Sequence, residues 1–192
     1  KASSLWSVPG VKAIGIFGSV LMDPSTYWVD GTQALTTDRG VVLPGRNWTF
    51  ASVDAGFFEA AGTRFIRGGA FGPIPRDGEL NEVVLNHALA TFLFGSEDPI
   101  GRRIRLHPKS PLQTVTGVVQ DARQISARDR GLGVVYQPLR HFHEVMLAVR
   151  AEDGVSAGMV RRQIESLSLG LGRITTIADE LDRSIARERL MS

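Results

Sequence analysis

Apolar and polar residues along this chain alternate in short bursts, and their period switches between two and about 3.6, the spacings of a half-buried strand and an amphipathic helix. Val11 to Met22 is rich in Val and Ile after the turn pair Pro9-Gly10, which predicts a strand. Thr26, Tyr27, Trp28 and Val29 are β-prone and close on Asp30-Gly31; a polar stretch follows to Arg46. In the next segment Trp48, Phe50 and Ser52 alternate with Thr49, Ala51 and Val53, a second strand. "DAGFFEAAG" then predicts a short helix: Asp54 can cap its first amides, Gly62 can stop it, and Phe57, Phe58 and Ala61 form the inward stripe.

The glycines and prolines of "RFIRGGAFGPIPRDGE" mark the strongest shift in composition, and a subdomain junction is expected there. Beyond it the strand-cap-helix-stop pattern recurs. Val83 to Leu85 form the strand, Asn86 the cap, Ala88, Leu89, Phe92 and Leu93 the apolar helix face, and Gly95 the stop. Asp98-Pro99-Ile100-Gly101 is a β-turn, with Pro pre-set for its second position and Gly for its fourth. After that turn, strands are predicted over residues 102–106 and 114–119, and the charged loop "DARQISARDRGLG" separates them from the short strand "VVYQPL". In "EVMLAVRAED" Val145, Leu147 and Val149 alternate with Met146, Ala148 and Arg150. Val155, Met159, Val160, Ile164 and Leu167 then share one helical face, with Arg161 and Arg162 opposite. "RITTI" reads as a strand, and "ADELDRSIARERL" as a closing helix with Leu181 and Ile185 inward.

With 43% apolar residues in 192, the chain can bury one good core or two small ones. Its 22 basic residues, all arginine apart from Lys1, Lys12 and Lys109, nearly balance 20 acidic ones, and neither sign is concentrated as in a nucleic-acid binder. Cysteine is absent, which excludes disulfides and thiolate metal sites and fits either a cytosolic or a periplasmic setting. The longest apolar stretch falls well short of the roughly 20 residues of a membrane helix, and it carries Lys12 and two glycines. No signal peptide is visible. The start at Lys1 and the abrupt end at "ARERLMS" suggest a piece of something longer.

Candidate chemistry is thin. His141 and His143 share one face of an extended segment beside Glu144, but a metal needs a further converging ligand, and His87 and His107 are distant in sequence. "GIFGS" and "RGGAFG" lack the spacing of nucleotide-binding loops and read as turns and a hinge. No GxSxG occurs, and nothing pairs Ser126 or Ser184 with a base. Asn47 heads an "NWT" sequon that would be idle in a bacterium, and Trp6 and Trp28 read as structural. In "GSEDPIGRRIRLH" strand parity puts Ile104 and Leu106 on one face and Arg103 and Arg105 on the other, which favours a wet hairpin face over a phosphate grip. The expectation is no catalytic, cofactor-binding or metal site and no enzyme.

Taken in order, "SVDAGFFEAAGTRFIRGGAF", "NEVVLNHALATFLFGSEDPIGRRIRL", "QTVTGVVQDAR", "VVYQPL", "VMLAVRAEDGVSAGMVRRQIESL" and "DELDRSIARERLM" resemble the MacB-like periplasmic core domain of ABC-transporter permeases of the MacB/LolC/FtsX-like type, over about Val8 to Met191. His87, where relatives tend to be polar or acidic, and Thr91-Phe92, often an arginine pair there, depart from the pattern.

The resemblance implies an α+β fold of two lobes. A porter-like module of βαβ units would span 1–71 and 145–192, with a smaller inserted mixed α/β (sabre-like) lobe over 72–144. It further implies an extracytoplasmic, periplasmic domain of an inner-membrane permease that does no catalysis, transmits ATP-driven motion of the membrane helices and needs no cofactor. Implied partners are its own transmembrane helices, a second permease subunit, a cytoplasmic ABC ATPase, and a periplasmic adaptor or substrate protein, with no nucleic acid. The alternative is a free-standing extracytoplasmic sensor or ligand-binding module of similar build.

Overall fold

The computed structural model describes residues 9–18, 34–40, 42–44, 48–73, 80–121, 133–139 and 145–166. Among these residues ten strands and three helices follow one another as β1 (Val11–Gly18), β2 (Ala34–Thr37), β3 (Val42–Pro44), β4 (Trp48–Val53), α1 (Phe57–Ala60), β5 (Phe65–Gly68), β6 (Glu82–Asn86), α2 (His87–Phe94), β7 (Arg103–Arg105), β8 (Gln113–Val119), β9 (Gly133–Pro138), β10 (Val145–Ala151) and α3 (Ala157–Ser166). The α+β class expected from sequence is what is found, with a single mixed sheet ordered β10-β1-β4-β9-β6-β8-β7-β2-β3 and β5 attached to β8.

The centre of this sheet is buried on both faces, so its strands carry apolar residues at consecutive positions instead of alternating them. On one face, Val84, Val119, Val134, Tyr136, Ala51 and Val53 pack with Phe57 and Phe58 of α1. On the other, Val83, Leu85, Val115, Val118, Val135 and Trp48 pack with Leu89, Ala90 and Leu93 of α2. At the β10 end a small cluster of Ile14, Leu147, Val160 and Ile164 seats α3 on the α2 side. Parity in β10 follows the sequence pattern: Met146 and Ala148 join the α1-side core, and Leu147 joins the α3 cluster.

The α1 side is held by close backbone approach. A Cβ on Gly15 would lie 2.3 Å from Phe57 Cα, and one on Gly56 would lie 2.4 Å from the Ile14 carbonyl oxygen. Gly15 is therefore a packing glycine in mid-strand, a correction to its reading as a turn residue. Asp54 fixes the same junction, its Oδ1 accepting from the amides of both Ile16 and Phe57 at 2.9 Å. The expected cap is thus made from outside a helix shorter than predicted, Gly56 itself holding the N-cap position. Gly62 ends that segment at φ 70° as expected, and Ala60, in place of Ala61, is the buried alanine.

Sequence pattern missed three strands. β2 and β3 lie in the stretch read as polar, and they are built around two buried residues, Leu35 and Leu43. β5 lies in the glycine-rich junction, where Gly68 at φ 62° lets the strand lie against the Thr116 carbonyl. Phe92 was placed on the inward face of α2 but is 60% exposed; Ala90 takes that place, because the helix is rotated to lay Leu89 on Gly133. The segments around Trp6, Trp28, Asn47, Ser126, His141, His143 and Ser184, with "RITTI" and the closing helix, lie outside the described residues.

Candidate functional site

Three polar assemblies stand out on the described surface, each built where a strand ends. The first joins β6, β8 and α2. Asn86 caps α2 as predicted: its Oδ1 accepts from Leu89 N at 3.2 Å and from Val134 N at 2.8 Å. Asp121, just past β8, accepts from Asn86 Nδ2 at 2.8 Å and from Ala88 N at 2.9 Å. A carboxylate thus sits on the first turn of α2, where the helix dipole favours it. His87 lies beside it, Nδ1 3.7 Å from Asp121 Oδ2, and both side chains are about half exposed. Sequence reading assigned Asp121 to a charged loop; its place after a strand parallel to β6 was the signal that it could reach the α2 cap.

Tyr136 lies under this assembly, buried on the α1 face. Burial, and then the charge of Asp121, push its hydroxyl well above the usual tyrosine value of about 10. A folded-state value above the unfolded one means that stabilisation from the neutral phenol is complete below about pH 10 and is lost as pH rises above it. In a Tyr27→Phe background, alkaline titration is therefore expected to give no Tyr136 phenolate band until the chain unfolds. A phenolate appearing near pH 10 with the fold intact would contradict the burial argument.

The second assembly surrounds the turn between α2 and β7. Glu97 receives Arg39 Nη1 on both carboxylate oxygens at 2.7 Å, and Arg102 Nη2 bonds the same group. Its neighbour Asp98 pairs with Arg67 of β5 at 3.3 Å and caps its own turn through Ile100 N at 3.1 Å. In the third assembly Arg105 Nη1 donates to the Ser110 carbonyl at 2.6 Å, and the Ser110 hydroxyl bridges the His107 backbone. The arginine cluster of this segment is thus resolved residue by residue. Ile104 and Leu106 are buried as parity required, and Arg103 is exposed. Arg102 is bound to a carboxylate and Arg105 to a turn.

These assemblies satisfy their charged groups largely within the chain, so they order loops and strand ends. Among the described residues no three His, Asp or Glu side chains converge as a metal site would require. No described helix is long and apolar enough to cross a membrane. Among the described residues the exposed large apolar ones are Val42, Ile66, Phe92 and Ile100.

Residues 10–167 match the family described as the MacB-like periplasmic core domain. Among solved structures, the periplasmic region of MacB from Actinobacillus actinomycetemcomitans is similar with a TM-score of 0.58 at 15% identity, over 87% of this chain and 70% of that one. The extracellular domain of the ABC-type transporter YknZ from Gram-positive bacteria is similar with a TM-score of 0.52 at 14% identity, over 88% and 82% of the two chains. At these identities the structures speak for the fold. Comparison with curated proteins gives no match.

Proposed function

The chain belongs to the family of MacB-like periplasmic core domains, and on that premise we propose that it is the extracytoplasmic part of an ABC-transporter permease, coupling ATP-driven motion of membrane helices to export or substrate handling outside the membrane. The carrying observation is the family match across residues 10–167. In this reading the domain does no catalysis. A cytoplasmic ABC ATPase hydrolyses ATP, the permease acts as a dimer through its own membrane helices, and an adaptor or substrate protein meets the domain in the periplasm.

The proposal includes the division into a porter-like lobe of 1–71 with 145–192 and an inserted lobe of 72–144. β4 and β9 fall on opposite sides of that division yet form a parallel pair from Trp48↔Gly133 to Val53↔Pro138. The lobes then share one sheet, and in this reading their relative motion is a flexing of it.

A flexible Gly-Ser insertion after Met191 in the intact permease tests the coupling. With "ADELDRSIARERL" acting as a rigid strut in that coupling, ATPase activity is expected to persist while transport fails. Normal transport together with normal ATPase activity would overturn the reading.

A further inference from the structure

The two faces of the sheet are covered unevenly. On the α2 side the core extends over the β7-β2-β3 wing, where Leu35, Leu43, Ile104 and Leu106 join the cluster of Leu89 and Leu93. The α1-side core takes no residue from β2, β3 or β7. Among the described residues the wing is therefore anchored by one face and open on the other.

Register fixes what the open face carries. Paired residues share a face, so Glu82, Thr114 and Arg103 form one row, and Arg105, Thr36 and Val42 form the next. Arg103 is exposed, Val42 is 54% exposed, and Thr36, Arg105 and Thr114 are half-buried. Charge is sorted in the same way. β2, β3 and residues 101–114 carry five basic side chains, Arg39, Arg102, Arg103, Arg105 and Lys109, against Asp38 alone, in a chain of net charge +2. Glu97 binds Arg39 and Arg102. Among the described residues no acid pairs with Arg103, Arg105 or Lys109. Arg105 gives one donor to the Ser110 carbonyl and keeps the rest of its guanidinium fork. Glu82, at the inner end of its row, holds Gly72 N at 2.7 Å and bounds the basic area on that side.

Arg103 and Arg105 stand two positions apart on β7, roughly 6.5 Å, which is also the repeat of alternate side chains on any other extended chain. We propose that this open face docks an extended acidic segment of a partner protein, with carboxylates at alternate residues meeting Arg103 and Arg105, and with Thr36, Thr114 and Val42 as the polar and apolar contacts around them. Complementary charge supplies the selection. The buried side chains beneath hold the face in place, so docking has little of this chain to order. A bilayer is the poorer match, because the face offers no aromatic or long apolar side chain to enter it. The inference rests on the transport reading only in giving its partner protein a surface. Its test needs neither membrane nor ATP, so it can fail while that reading stands.

Fluorescence anisotropy of a labelled peptide of about 12 residues alternating Glu and Thr, titrated with the whole chain at about 50 mM salt, decides it. Arg103→Glu is expected to weaken binding about 10-fold, since it replaces an attraction by a repulsion at an exposed position. Arg162→Glu makes the same change of charge on exposed α3, at the opposite end of the sheet, and should leave binding within about 2-fold. Equal weakening by the two variants would overturn the inference, because net charge alone would then attract the peptide. Absence of binding to the wild type would overturn it as well. So would vesicles of about 30% phosphatidylserine that release the chain on Arg103→Glu while the peptide does not, a result that gives the face to a membrane.

Discussion

Phe58→Ala is expected to lower the unfolding free energy by about 3–5 kcal/mol, the usual range for a phenylalanine truncated in a closed core. Phe58 is 2% exposed, and its ring lies 4.9 Å from Phe65, 5.3 Å from Tyr136, 5.8 Å from Phe57 and 5.9 Å from Phe71. Those rings come from β5, β9, α1 and the segment after β5, so no single element can move to fill the space. The edge-on geometry with Phe57, Phe65 and Tyr136 adds ring-pair attraction to the area buried. In a domain of this length the loss corresponds to a fall in Tm of about 10 °C. Urea denaturation measures it directly, and a change under ~1 kcal/mol would mean that the aromatic cluster repacks freely.

Gly15→Val is expected to be comparably damaging by an opposite route, overpacking instead of a cavity. The new Cβ would stand 2.3 Å from Phe57 Cα and 2.6 Å from Phe57 N. Both are backbone atoms, so no side-chain rotation relieves the clash, and α1 must lift from β1. A loss of about 3 kcal/mol follows. Lifting α1 also parts the Asp54 carboxylate from the amides of Ile16 and Phe57, so their protection from exchange should fall before that of the α2 face. Gly69→Ala provides the control: no heavy atom lies within 4 Å of the added carbon, and a change within ~0.5 kcal/mol is expected. Equal losses in the two variants would refute the close-approach account.

What the sequence disclosed was mostly local. Asn86 before an apolar run and Gly95 after it predicted α2 with its cap and its stop, and the parity of Ile104 and Leu106 placed them in the core. Local rules suffice there because the partners are a few residues apart. Phe92 failed because a helix with apolar residues on several sides leaves its rotation to the sheet beneath it. Gly15 failed because a glycine in a strand looks the same whether it bends the chain or admits another backbone. Arg39 and Glu97 meet only through the folding of the hairpin onto the turn after α2, and nothing along the chain links them. The family resemblance, by contrast, was legible from the order of several ordinary segments, none of which is diagnostic alone. No site of chemistry was expected from sequence, and the ion pairs of Glu97 and Asp98 emerged only from the pairing of strands.

The pairing of β1 sets the order in which this molecule can be made. One edge of β1 is completed by β10, where Ile14 meets Val149, and its other edge touches β4 only at Phe17↔Val53. β4 in turn is completed by β9, and β6 gains its second neighbour only when β8 and β9 arrive. A chain emerging N-terminus first therefore presents β1 and β4 long before β10 and β9 exist. Such dependence on distant pairings slows folding and leaves unpaired, apolar edges open to other chains. During biosynthesis this domain is expected to need shielding by a chaperone until residues near 150 have emerged. The first of its described strands is among the last to be secured.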